Sequence, residues 1–376
     1  MYKYITSFRS LALISLALVG CKEDPEPSVQ LPSNLQISAE VVSEGEGRVN
    51  VNASASLANF YTFIFEESGE LTYLDNTEGA ASYVYQTSGT FPIIVRANTT
   101  HDDYIEALTE VTVTLNDEVL GNGGNPPTSG YTTPLTYEGF TLVWNDEFNG
   151  SNLSSDWNQE IGTGSSGWGN NELQYYRAEN SSVSDGFLTI EAREESYNGN
   201  SYTSSRITTQ NKQSFRYGRI DIRAALPYGK GLWPALWMLG TNIPSVGWPS
   251  CGEIDIMEMV GGNVSGGGNH VTHGTVHWDN NGQHASFGGS KALSEGSLAD
   301  KFHVYTIIWD SLSIEWYLDD QKFHTIDISS SGLDAFKEEF FFIFNVAVGG
   351  NWPGSPNSST TFPQFMFVDY VRVFQK

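Results

Sequence analysis

From Tyr137 to Lys376 the sequence is a succession of short extended-type runs, with no strong amphipathic helix and no short internal repeat. Phe187–Ala192, Tyr217–Ala224, Ile254–Met259, Val304–Trp309, Ser313–Leu318, Phe340–Val348 and Phe367–Phe374 are rich in β-branched and aromatic residues. Such side chains suit a pleated, half-buried surface. A region of this length made of such runs has one economical solution, a single β-sandwich or barrel. Residues 134–376 are therefore expected to form one all-β domain.

A second, smaller unit is expected over residues 34–115. Val49, Val51 and Ala53 alternate with polar residues, Tyr83 and Tyr85 share a parity, and so do Val111, Val113 and Leu115. Glu44-Gly45-Glu46-Gly47 and Ser88-Gly89 supply turns. The pattern predicts a small antiparallel β-sandwich of immunoglobulin-like type. Ser88–Ala97 resembles the late strand of a PKD-type domain, although Phe63–Gly69 lacks that family's Trp-Asp-Phe-Gly-Asp-Gly segment. Nothing in this unit looks catalytic; Phe60, Tyr61 and Phe65 are expected in its core. Residues 116–133, with Gly121–Gly124 and the pair Pro126-Pro127, are expected to be a linker. All ten tryptophans fall beyond residue 143, so only the larger unit is built around indole rings.

The N-terminus is an address. Lys3 and Arg9 precede an apolar run, Leu11 to Val19, too short to span a bilayer, and residues 1–20 are expected to be a signal peptide. Leu18-Val19-Gly20-Cys21 resembles a bacterial lipobox, which implies cleavage before Cys21 and lipidation of its thiol. Lys22-Glu23-Asp24 resembles the export signal of Bacteroidetes surface lipoproteins. The chain is thus expected in the bacterial outer membrane, exposed at the cell surface, on a Pro- and Glu-rich tether over residues 21–33. Its net charge of −25 opposes non-specific binding to nucleic acid or anionic lipid, so membrane contact is expected through the lipid alone. The two cysteines, Cys21 and Cys251, make no disulfide framework.

Chemistry concentrates in Glu253-Ile254-Asp255-Ile256-Met257-Glu258, where three acids interrupt an apolar strand-like run. Acids on such a strand are costly to bury unless used or paired. Side chains alternate along a strand, so Glu253 and Asp255 share a face and Glu258 has the wrong parity. A one-residue bulge near Ile256–Met257 brings all three to one face. Two glutamates flanking an aspartate then suit double-displacement glycoside hydrolysis, which needs carboxyl groups about 5–5.5 Å apart. Crowding pushes their pKa values apart, and Asp255 is placed to hold the nucleophile by a shared proton. An exposed polar strand face or a cation site would carry the same residues.

This hexapeptide resembles the bulged active-site signature of glycoside hydrolase family 16. Five further segments are similar to the laminarinases of that family: Trp168–Tyr176, Phe215–Ile220, Gly231–Met238, His273–Trp278 and Ala347–Gly354. The resemblance implies a jelly-roll β-sandwich with an open cleft. It implies Glu253 as nucleophile, Glu258 as acid/base and Asp255 as assisting acid. It also implies retaining endo-hydrolysis of β-1,3-glucan by a monomer. Mixed-linkage β-1,3-1,4-glucan is an alternative substrate, and a non-catalytic glucan-binding protein is an alternative use of the scaffold. Binding proteins of that kind lack the glutamates; both are present here.

Sugars present apolar faces to aromatic rings and polar edges to amides and cations. On the resemblance, Trp237 and Trp248 are platforms, Trp233 is a further candidate, Asn171 and Arg206 bind sugar edges, and His277 stands beside the acid/base. Trp352 lies on a Gly/Pro loop, a candidate rim, and most other tryptophans are expected in the core. The mixed spacing of His270, His273, His277 and His284 argues against a zinc site, and Cys251 reads as a small buried hydrophobe. No cofactor is expected for catalysis. Many family members carry one structural calcium; the matching positions are Glu147, the Gly186 carbonyl and Asp369.

Overall fold

The computed structural model describes residues 29–42, 47–67, 69–85, 87–114, 124–262 and 267–376. The signal segment 1–20, the lipidation site Cys21, the tether up to residue 28 and the linker stretch 116–123 lie outside the described residues. Among the described residues no helix is long and apolar enough to cross a membrane.

The smaller unit has two antiparallel sheets. Ser33–Val41, Arg48–Ser56 and Ala80–Val84 form one; Glu70–Asn76, Phe60–Glu67, Gly89–Asn98 and Tyr104–Val113 form the other, in that order. Alternation sends Val49, Val51, Phe63, Phe65, Tyr83, Tyr85, Val95 and Val111 into a shared core. Tyr61 joins it, whereas Phe60 is half-buried against the His101 ring.

The larger unit is a jelly-roll-type sandwich. Its inner sheet runs Gln283–Ala292, Val271–Asn280, Glu253–Glu258, Leu232–Gly240, Phe340–Val348, Arg206–Thr208, Asn158–Glu160. Its outer sheet runs Gln174–Tyr176, Asn200–Ser204, Phe187–Tyr197, Gln364–Gln375, Gly218–Ala225, His303–Trp309, Ser313–Leu318, Gln321–Asp327. The core lies between them, with Leu236, Met238, Ile254 and Phe344 from one side and Ile220, Ile222, Ile307 and Val371 from the other. Phe340–Val348 is buried along its whole length, because its second face is covered too: Phe341 and Ile343 pack with Leu239 and Cys251.

Gln364–Gln375 is the central outer strand. Along one edge it pairs with Gly218–Ala225. Along the other, Leu188–Ala192 covers its first half and Thr141–Asp146 its second. The expected linker does not stay loose to its end. Gly130 bridges to Phe302, the Tyr131 hydroxyl donates to Asp320 at 2.7 Å, and Arg372 Nη1 donates to the Thr133 carbonyl at 2.8 Å.

Candidate active site

The strand Glu253–Glu258 carries the bulge that parity demands. Against its neighbour Leu232–Gly240, Met257 pairs with Leu236 and Asp255 with Trp237, leaving Ile256 as the extra residue. Against Val271–Asn280, Asp255 pairs with Thr275 and Glu258 with His273. Two features hold the distortion. The Asp255 carbonyl accepts a hydrogen bond from Trp316 Nε1 of the outer sheet at 2.8 Å, satisfying an acceptor where the ladder is disrupted. Gly274 makes room, since a Cβ there would meet Trp316 Cδ1 at 2.3 Å.

Glu253, Asp255 and Glu258 all line one cleft of about 600 Å³. Trp248 Nε1 donates to Glu253 Oε2 at 2.9 Å, and Trp233 Nε1 donates to Glu258 Oε1 at 2.9 Å. Each indole thus fixes one glutamate. The Asp255 side chain is only 4% exposed, and its Oδ2 lies 3.2 Å from His277 Nε2 without hydrogen-bonding geometry. Burial, then the charge of Asp255, pushes Glu253 and Glu258 each up to about 8. Burial alone pushes Asp255 up to about 8. The three cannot all ionise together near neutral pH, so the cluster retains a proton. One site thereby offers both a carboxylate to attack and a carboxylic acid to donate.

The ten tryptophans divide evenly. Trp168, Trp233, Trp237, Trp248 and Trp352 line the cleft. Trp157, Trp309 and Trp316 are buried, and Trp144 and Trp278 pack against the same core. Trp168 and Trp352 are thus cleft residues; Trp168 had no individual assignment from sequence. Trp168 sits at φ 55° in the loop Gly167–Asn171, and Trp352 meets Trp233 edge-on. Arg206 is ion-paired with Glu160 and lies between the rings of Trp168 and Trp237, 4.4 and 4.8 Å from their centroids. Trp237 Nε1 donates to Asn345 Oδ1 at 2.7 Å.

Two expected positions stand differently from the others. Asn171 is not among the residues lining the cleft, although its neighbours Asn170 and Glu172 are; its exposed amide donates to Asn351 Oδ1 at 2.8 Å. His277 pairs in register with Glu253, not with Glu258, and stands 3.7 Å from Glu253 Oε1; His273 occupies the position across from Glu258. The bulge lies beyond the His277–Glu253 pair and shifts the register by one residue, which brings His273 rather than Thr272 opposite Glu258. Of the four spaced histidines, His277 and His284 meet, with Nδ1 and Nε2 2.9 Å apart. Cys251 is a buried neighbour of Leu239, and burial pushes its thiol up to about 11, which leaves it unreactive.

Glu147 follows the strand Thr141–Asp146 and Gly186 precedes Phe187–Tyr197, so both face the junction beside Asp369. Both oxygens of Glu147 accept from Arg372 at 2.7 Å, and Asp369 Oδ2 is paired with Arg223 at 2.6 Å. Guanidinium already neutralises these carboxylates. A calcium here would draw on backbone carbonyls and the remaining Asp369 oxygen, which are the hard donors it takes.

The family model described as Glycosyl hydrolases family 16 matches residues 169–372. A second, described as Beta-glucan synthesis-associated protein SKN1/KRE6/Sbg1, matches residues 24–253 and stops before Asp255 and Glu258. The chain is 41% identical to the Clotting factor G alpha subunit of Tachypleus tridentatus, over 62% of this chain; it spans 34% of that subunit. It is 43% identical to the Beta-glucanase of Rhodothermus marinus, over 62% of this chain and 85% of that one. Among solved structures, the laminarinase catalytic domain of Thermotoga maritima superposes with a TM-score of 0.58 at 45% identity, covering 64% of this chain and 99% of that one.

Proposed function

Because the chain belongs to glycosyl hydrolases family 16 and is a glycoside hydrolase, we propose that it cuts internal β-1,3-glucosidic bonds of laminarin-like glucans with retention. The observation that carries the reading is the bulge at Ile256, which turns Glu253, Asp255 and Glu258 to one cleft face. The names of the bacterial relative and of the superposed laminarinase support a β-glucan substrate.

In this mechanism the Glu253 carboxylate attacks the anomeric carbon while Glu258 gives its proton to the departing oxygen. Trp248 steadies the attacking carboxylate and Trp233 the acid. Glu258, now ionised, takes a proton from water, which attacks the glycosyl-enzyme and releases Glu253. Asp255, the most deeply buried of the three, holds the proton that lets Glu253 stay ionised beside it. Trp237, Trp248, Trp168 and Trp352 offer ring faces to the sugars, and Arg206 and His277 polar contacts. NMR of products from laminarin and from mixed-linkage glucan tests the reading. β-1,3 oligosaccharides released with β-configuration are expected. Mixed-linkage glucan as the preferred polymer would replace the substrate, and α-products would overturn the mechanism.

The same reading makes the chain a monomeric, lipid-anchored enzyme of the outer membrane, supported by Leu18–Cys21 and the acidic residues after it. Loss of membrane association in Cys21→Ser checks it. A structural calcium at Glu147, Gly186 and Asp369 belongs to the proposal as well, supported by the strand register that brings the three positions to one junction.

A further inference from the structure

Glu253, Asp255 and His277 each bring one possible ligand atom within 4.8 Å of the others. His277 Nε2 is 3.2 Å from Asp255 Oδ2 and 3.7 Å from Glu253 Oε1. Donors around a tetrahedral ion bonded at about 2.0–2.2 Å stand roughly 3.3–3.6 Å apart, so the imidazole-to-carboxylate spacings are close to those of a coordination shell. An independent observation points the same way: Asp255 Oδ2 is buried without a hydrogen-bond partner, on a side chain 4% exposed. Such acceptors are uncommon unless something fills the place opposite them. The imidazole is also held for the purpose. His277 Nδ1 faces His284 Nε2 at 2.9 Å; with Nδ1 as donor, Nε2 turns its lone pair toward the two carboxylates. Metal-binding imidazoles are commonly steadied through their other nitrogen in this way.

We propose that the cleft binds one zinc ion through Glu253, Asp255 and His277, and that the bound ion blocks glucan hydrolysis. Two carboxylates, one imidazole and an open position toward the cleft make a zinc-type donor set. An imidazole among the ligands disfavours calcium and magnesium, which separates this site from the calcium position at Asp369. The spacing of the histidines in sequence gives no hint of it, because two of the three ligands come from the neighbouring strand. Zinc occupies the Glu253 oxygen needed for attack, so turnover stops until the ion leaves. The inhibitory half rests on the function proposed above; the binding half stands on the donor set alone.

The test is calorimetric titration of the full chain with zinc chloride alone, in a buffer free of chelators. One site is expected, weakened by more than about tenfold in His277→Asn and in Asp255→Asn and about tenfold in His284→Gln. Thermal unfolding of each variant establishes that it is folded. Hydrolysis of laminarin by the wild-type chain is expected to fall in step with zinc occupancy, to recover with EDTA, and to be insensitive to calcium. Unchanged zinc affinity in both ligand variants, or full turnover by the zinc-saturated enzyme, overturns the proposal. Failure of the metal-free enzyme to cut laminarin is a failure of the proposed function instead, and the calorimetry still decides the ion site.

Discussion

Trp316 Nε1 donates to the carbonyl oxygen of Asp255 across 2.8 Å, joining the outer sheet to the bulge of the inner one. Trp316 is fully buried, and Gly274 lies against its ring. The outer sheet thus helps set the strand geometry on which the acid cluster depends. Trp316→Phe keeps most of the apolar volume and removes the donor. The orphaned carbonyl should cost about 1–3 kcal/mol of stability, read as a lower urea midpoint, with a fall in kcat as the bulge loosens. Unchanged stability and kcat would mean the bulge stands without that bond.

Glu253→Ser removes the attacking carboxylate and leaves the aromatic cleft in place. Turnover of laminarin should fall by roughly 10⁴-fold or more, while affinity for laminarin oligosaccharides, measured by calorimetry, stays largely intact. Undiminished hydrolysis by this variant would sink the assignment of the nucleophile.

Asp255 carries a stability cost with a predictable pH dependence. Its folded pKa, raised by burial to about 8, lies above its usual value of 3.8. The native state therefore binds the proton more tightly than the unfolded chain. This contribution is fully present below about pH 4 and is lost as pH rises toward 8. Asp255→Asn does not titrate, so it should gain on the wild type with increasing pH. A melting temperature higher by about 2–4 °C or more at pH 8, with the gap closing near pH 4, is the expected pattern. A gap that widens in acid contradicts it. Activity of the wild type should fall above about pH 8, as Glu258 loses the proton it must donate.

Chelation bears on the calcium position. EDTA should lower the melting temperature and calcium should restore it. The rate on laminarin at 25 °C should not change, because the junction at Asp369 belongs to the outer sheet and the acid cluster to the inner one. An unaltered melting temperature removes calcium from the account.

Much of this site was legible in the sequence because strand periodicity is strict. Three acids in an apolar run, one of them out of phase, leave a bulge as the way to bring them to one face, and Ile256 is the extra residue. What sequence did not carry was cross-strand register. His277 was placed by resemblance beside Glu258, but the antiparallel register pairs it with Glu253, and the bulge beyond brings His273 opposite Glu258. The strand Gln283–Ala292 is a mostly exposed, polar and glycine-bearing edge. It leaves no hydrophobic alternation to read, so His284 was weighed only by its spacing and not as the cross-strand neighbour of His277. Cleft and core tryptophans look alike in sequence, since both need apolar neighbours; Trp352 on its Gly/Pro loop carried a local signal, and Trp168 on its glycine-rich loop was passed over.

The central outer strand, Gln364–Gln375, lies beside Thr141–Asp146, the first strand of the same sandwich. This pairing joins segments more than two hundred residues apart in the chain, and loop closure over such a distance slows folding. A nascent chain can form its hairpins early, but the outer sheet lacks its middle until the last strand is available. Partial chains would expose open sheet edges. Under the export proposed from residues 1–20, that delay would help, since a chain that cannot close its sandwich stays unfolded while it is being moved.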